Sequence, residues 1–208
     1  MTDYRRQYGM ELSGLGGYEP ATVTDAERWA SVLAPVVERD GEPSLLFIKR
    51  AEHLGSHPGQ MAFPGGGHEP FDPDLTATAR REAFEEIGLR ESEPSIVGQL
   101  DDTTTTSGYA IRPFVASVPD RDYEPDDREV AEITTLPVAK LTDPANYESE
   151  RRERTSVGDV RVHYFHVGDY TVWGATGRML VQLLELTTDW RAPESPDRVV
   201  DAEAEFPV

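Results

Sequence analysis

The chain has 208 residues, 38% of them hydrophobic, which suits one folded unit with a full core and excludes a disordered chain. Its 39 acidic against 20 basic residues give a formal net charge of −19, which argues against nucleic acid as a partner, because binding a polyanion needs a basic footprint. Cysteine is absent, which excludes disulfides, a thiol nucleophile and a cysteine metal site, and no apolar run approaches the about 18 residues of a membrane-spanning helix.

Arg5 and Arg6 are not followed by an apolar stretch, so no secretory leader is predicted and the cytoplasm is the expected location. Only Lys49 and Lys140 are lysines, and this acid-rich, lysine-poor surface suggests a halophile-like protein kept soluble in concentrated salt. Residues 1–23 are polar and glycine-rich and read as a loosely packed N-terminal arm. Residues 24–30 suggest a helical turn capped by Thr24 or Asp25. Ser31 to Arg39 and Ser44 to Arg50 are β-prone runs joined by Asp40-Gly41, a hairpin signal. Leu45 to Ile48 is apolar without alternation, so that strand should be buried on both faces. A loop over 51–60 then leads through Met61-Ala62-Phe63 into a glycine turn at Pro64 to Gly67.

The next element, from about Asp74 to Ile87, follows the helical period and ends at Gly88. Leu75, Ala79, Ala83 and Ile87 recur every four residues as an apolar stripe, which Phe84 is expected to extend. Glu82, Glu85 and Glu86, at steps of three and four, crowd an adjoining face, where like charges weaken a helix by a few tenths of a kcal/mol per pair. A divalent cation, Mg²⁺ or Mn²⁺, is the simplest remedy, since both prefer carboxylate oxygen. Arg81, four residues before Glu85, can hold that side chain in place. The glycines ahead of the helix admit backbone shapes closed to other residues, and can offer a carbonyl to a metal or amides to a phosphate.

Farther along, Ile96 to Leu100 reads as a strand, and 101–108 as a polar loop. Tyr109 to Val118 reads as a strand that Pro113 should demote to an edge or a bulge. Glu129 to Thr135 is β-prone, and Pro137 to Leu141 starts a short helix. Glu148 to Val157 and Val160 to Val167 flank Gly158-Asp159, a second hairpin signal. Tyr170 to Trp173 enters a final helix, Gly174 to Leu186. Residues 191–208 read as a polar, mobile tail, leaving 24–190 as the folded domain. Strands and helices in this order predict an α/β/α sandwich with a mixed sheet between helices, 74–87 on one side and 174–186 on another.

Gly66, Asp72, Arg81-Glu82, Glu85-Glu86 and Gly88-Leu89, in this spacing, resemble the Nudix box, with Asp as the first acid and one extra residue before the arginine. Upstream, Leu45 to Arg50 and His57-Pro58-Gly59-Gln60-Met61-Ala62-Phe63-Pro64-Gly65-Gly66 resemble the motif of the coenzyme A pyrophosphatase branch, as does Tyr170 to Gly177. Gly55 departs from it, standing where that branch carries an arginine. The resemblance covers roughly 30–188 and implies a Nudix-type α/β/α fold and metal-dependent hydrolysis of a nucleoside diphosphate derivative. Coenzyme A or its thioesters come first; ADP-ribose, a dinucleotide or a nucleotide sugar come second. A non-catalytic nucleotide-binding module is the reading from another class, disfavoured because all three box glutamates are present.

By the resemblance, Glu82 and Glu86 are metal ligands, Glu85 is a further ligand or the general base, and Arg81 orients it. A carbonyl near Gly66 completes the metal site. Gly65 and Gly67 let the backbone approach the substrate, and Arg50, His57 and Gln60 are candidate substrate contacts. Glu129 is a candidate late acid ahead of its β-prone run. His53, His68, His163 and His166 are read as packing or solvated residues, and Tyr164 and Trp173 as core. The expected partner is a small-molecule nucleoside diphosphate, with a homodimer admitted as an assembly.

Overall fold

Asp40 and Gly41 both adopt left-handed backbone conformations, with φ of 54° and 79°. They fold β1 (Arg28–Arg39) back onto β2 (Glu42–Arg50) as an antiparallel pair. A two-residue turn with positive φ at both positions matches the twist of the strands it joins, so the hairpin signal was decisive. A computed structural model describes residues 9–105, 108–153 and 158–206.

Strand β1 begins at Arg28, so the end of the 24–30 segment is extended, not helical. Ala30 finds backbone partners on both sides, opposite Gly67 and opposite Ile111, and two strand neighbours outweigh one weak cap. After β2 come β3 (Met61–Ala62) and β4 (Gly65–Gly67). Helix α1 (Leu75–Ile87) follows, its start capped by the Asp74 carboxylate on the Ala77 amide at 2.8 Å. Its end is closed by Gly88 at φ 64°. Then β5 (Ser95–Gln99), β6 (Thr103–Thr104), β7 (Tyr109–Ser117) and β8 (Val130–Pro137) complete one mixed sheet.

Strand β7 lies inside this sheet, parallel to β1 and antiparallel to β5, so Pro113 does not mark an edge. The Pro113 carbonyl accepts from the Leu100 amide at 3.0 Å. The missing N–H therefore points to the same side, into the break between β5 and β6, where no ladder bond is lost.

A short helix, α2 (Val138–Leu141), leads to a second sheet of β9 (Tyr147–Glu153), β10 (Val160–Val167) and β11 (Tyr170–Val172). The β9–β10 pairing bears out the second hairpin, while 154–157, part of the strand expected to reach Val157, lie outside the described residues. Helix α3 (Gly174–Thr187) follows, and β12 (Arg198–Asp201) adds to β9 in parallel.

Two cores sandwich the large sheet. Val32, Ala34, Val36, Leu45 and Phe47 pack with Leu180, Leu183 and Leu184 of α3. Leu33, Val37, Leu46 and Ile48 pack with Ala79, Ala83 and Ile87 of α1. The unalternating run of β2 thus divides between two apolar layers, as its pattern predicted. Phe84 leaves the stripe and is 52% exposed, because in helical projection it turns well past Ala83 and Ile87. In the same projection Glu86 falls between Leu75 and Ala79, which carries a carboxylate into the buried arc.

Both terminal segments are less loose than expected. Met10 and Leu15 are buried in the α3-side core, and the Glu11 amide bonds to the Thr187 carbonyl at 2.5 Å. Tyr18 donates to Asp101 at 2.8 Å. In the C-terminal segment, Arg152 reaches the carbonyls of Ala202, Ala204 and Glu205. Apolar residues and backbone groups within a polar composition decide this, and composition alone does not reveal them. Among the described residues no helix is long and apolar enough to cross a membrane.

Candidate active site

The expected glycine turn is a short strand. In β4, Gly65, Gly66 and Gly67 pair with Val32, Ser31 and Ala30. A Cβ at Gly65, where φ is 154°, would sit 2.3 Å from the Ser31 carbonyl oxygen. At Gly66 it would sit 2.6 Å from the Glu82 carboxylate. The missing side chains therefore let α1 lay its acids directly on strand backbone, and the Gly65 amide donates to Glu86 Oε2 at 2.8 Å. Gly66→Ala is expected to displace Glu82 and, if the helix acids carry the hydrolysis that the resemblance implies, to lower it by at least about tenfold while circular dichroism stays native. Gly67→Ala, where an added Cβ meets nothing within 4 Å, should cost less.

Arg81 organises the exposed side of this contact. Its guanidinium pairs with both oxygens of Asp72 at 3.0 Å and donates to the Gly67 carbonyl at 2.9 Å, to Glu82 at 2.8 Å and to Glu85 at 3.0 Å. The expected Arg81–Glu85 contact is present, but it is one of four. Asp72, to which the sequence assigned only a place in a spacing, is buried and also accepts from the Thr78 hydroxyl and the Glu69 amide. Hydrogen bonds from Arg81 hold its carboxyl well below the usual range. An acid placed nine residues before an arginine, outside the helix that carries it, gives no periodic signal.

Burial pushes Glu86, only 3% exposed, up to about 8, with Glu82 and Glu129 adding to the rise and the Gly65 amide and Arg50 opposing it. Glu82 is also raised, first by burial and then by Glu85 and Glu129, against the pull of Arg81. Glu129 therefore stands within electrostatic reach of both. The β2–β8 pairing brings it there, with Arg50 opposite Val130. Among the described residues, the buried Nε of Arg50 has no hydrogen-bond partner. Its main chain bonds to Gln60 and Gly59 at 3.0 and 3.1 Å, pinning the base of the 51–60 loop. His57 is exposed with φ 53°, and among the described residues no hydrogen bond ties its side chain or that of Gln60 to the carboxylates.

Among the described residues no three acids or histidines form a ready-made cation cage. The donor chemistry nonetheless fits a divalent ion. Glu82 and Glu86 are carboxylates whose charge is disfavoured by burial and by neighbouring carboxylates, and a hard cation takes such oxygens.

A family model described as the NUDIX domain matches residues 27–156, more than half of the chain. The chain belongs to the Nudix family. It is similar to the uncharacterized Nudix hydrolase NudL of Enterobacter sp. (strain 638), at 36% identity over 157 residues, covering 75% of this chain and 81% of the relative. It is also similar to the uncharacterized NudL of Yersinia pestis (strain Pestoides F), at 35% identity over 159 residues, covering 76% and 79%. A MutT/nudix family protein from Enterococcus faecalis shares the fold, with a TM-score of 0.55 at 13% identity over 78% of this chain and 62% of that one. This Nudix chain is a pyrophosphohydrolase acting on a nucleoside diphosphate derivative, and Nudix hydrolases generally use divalent metal ions.

Proposed function

We propose that the substrate is coenzyme A or one of its thioesters, cut at the diphosphate to 4′-phosphopantetheine, or its acyl form, and adenosine 3′,5′-bisphosphate. The supporting observation is the seat of the upstream motif. His57 to Phe63 leaves a loop pinned at Arg50, passes through β3 and runs directly into the glycine strand on which Glu82 and Glu86 rest.

In this reading Glu82, Glu86 and a main-chain carbonyl near Gly66 would hold Mg²⁺ or Mn²⁺. When bound, such an ion supplies positive charge against the diphosphate oxygens and acidifies water. Glu85, half-exposed and steadied by Arg81, accepts the proton of the attacking water as its oxygen bonds to phosphorus and the bridging P–O bond breaks. The positive charge of Arg50, which reaches Glu86, would also attract the phosphate oxygens, and Gly65 and Gly67 keep the approach clear. In this reading His57 and Gln60 would meet the substrate from the loop, and Glu129 adds negative charge beside the helix acids.

A second substrate is favoured by Gly55, which is surrounded by open space and presents no guanidinium where the coenzyme A branch carries one. ADP-ribose or a dinucleotide then takes the same site. A panel of diphosphates with Mg²⁺ and Mn²⁺ separates the two. Release of 4′-phosphopantetheine is expected; turnover of ADP-ribose with none of coenzyme A would refute the substrate and leave the hydrolase. Glu85→Gln should lower kcat about 10³-fold with ligand affinity retained, and unchanged turnover would remove Glu85 as the base.

A further inference from the structure

Phe71 is 72% exposed, the most exposed large apolar side chain among the described residues, and it belongs to neither core. It is not on a loose tip. The Asp72 amide bonds to the Glu69 carbonyl at 2.9 Å, and the Glu69 amide returns to the Asp72 carboxylate at 3.1 Å. Thr78 and both nitrogens of the Arg81 fork hold that same carboxylate, and His68 Nδ1 meets the Thr78 hydroxyl at 2.9 Å. The backbone beside Phe71 is thus pinned on both flanks while the ring stays in water. A ring presented this way forgoes burial without gaining loop freedom.

Its position gives the exposure a use. The Arg81 guanidinium carbon lies 5.5 Å from the ring centroid, within cation–π range. The same guanidinium touches Glu82 and Glu85 at 2.8 and 3.0 Å. One guanidinium therefore separates the phenyl ring from the acids. In a nucleoside diphosphate, one ribose separates the base from the diphosphate.

We propose that Phe71 is the stacking platform for the nucleobase of the substrate. This rests on the reading of the site as a nucleoside diphosphate hydrolase, not on which derivative it cuts, because coenzyme A and ADP-ribose share an adenine there. Stacking on a flat ring tolerates any base and needs no hydrogen-bond code.

Calorimetric titration with AMP and with ribose 5-phosphate, in the presence of Mg²⁺, tests it on folded wild type, Phe71→Ala, Phe71→Trp and Phe84→Ala. Phe84 serves as the control, an exposed ring on α1 that projects nearly opposite Glu82. Phe71→Ala should weaken AMP about tenfold and leave ribose 5-phosphate within about twofold. Phe71→Trp should restore AMP, and Phe84→Ala should change neither ligand. Steady-state kinetics should show KM for the nucleotide substrate raised about tenfold with kcat held within about threefold. Equal weakening of both ligands would mean that Phe71 acts only through Arg81, and would overturn the inference. So would unchanged AMP affinity in Phe71→Ala, or no AMP binding by wild type. Binding is read without turnover, so a wild type that binds AMP but cuts no coenzyme A refutes the substrate reading alone.

Discussion

Glu86→Gln is expected to lower kcat/KM about 10³-fold while making the metal-free protein more stable above pH 8. Loss of activity follows from removing a negative oxygen donor at the centre of the site. The gain in stability follows from linkage. Folded Glu86 keeps its proton to about pH 8, whereas the unfolded chain releases it near 4.5, the ordinary value for a glutamate. Between those values the folded state binds the extra proton, so stability is greatest at low pH and falls as pH rises through the window. The shift corresponds to a loss on the order of 5 kcal/mol once pH exceeds 8. Glutamine has no charge to bury, and its oxygen can still accept from the Gly65 amide. Urea unfolding with chelator at pH 4 and pH 9 should show a shallower pH dependence for the variant and nearly equal stabilities at pH 4. Added Mg²⁺ should raise the Tm of wild type more than that of the variant, because a cation stabilises the charged form it binds. An unchanged pH slope in Glu86→Gln would refute the assignment of that penalty to Glu86.

Arg152→Ala should give the largest loss of stability, about 3–5 kcal/mol by urea unfolding. Arg152 is 1% exposed and pairs with Glu150, also 1% exposed, at 2.6 Å. Its other nitrogens hold the Ala202, Ala204 and Glu205 carbonyls at 3.4, 2.6 and 3.1 Å, and the Phe206 ring covers it at 3.6 Å. Truncation leaves three carbonyls without that donor and leaves the buried Glu150 to Tyr164 and Arg198. Limited proteolysis should then cut within 198–206, where wild type resists. Arg198→Ala, which removes a partner more exposed than Arg152, should cost less. A stability within about 0.5 kcal/mol of wild type would mean that the C-terminal segment is not held through Arg152.

The strands and helices that the sequence made legible share a local cause. Asp40-Gly41 carried its own turn geometry, Asp74 and Gly88 capped a helix whose apolar residues already repeated, and Leu45 to Ile48 announced burial on two faces. Each reading depended on residues within a few positions of one another. Most of the readings that failed concern partners far along the chain. Trp29 and Ala30 became strand because β7 lies beside them, and Pro113 entered a sheet interior because β5 and β6 part opposite it. Phe84 had the right residue type but the wrong angle. Met10, Leu15 and the 198–206 segment found cover that polar composition concealed.

By itself, the sequence determined the carboxylate helix, because Glu82, Glu85 and Glu86 at helical spacing place three acids together on any helix they form. It also determined that small residues precede that helix. Only the tertiary structure decided what the glycines and acids do to one another. Pairing with β1 turns the expected glycine turn into a strand, and close approach of α1 buries Glu86 against the Gly65 amide. Arg81 is drawn to Asp72, and β8 brings Glu129 within reach of the cluster. Desolvation and charge–charge distance set a carboxylate's proton affinity, and both are properties of packed neighbours, which helical spacing does not contain.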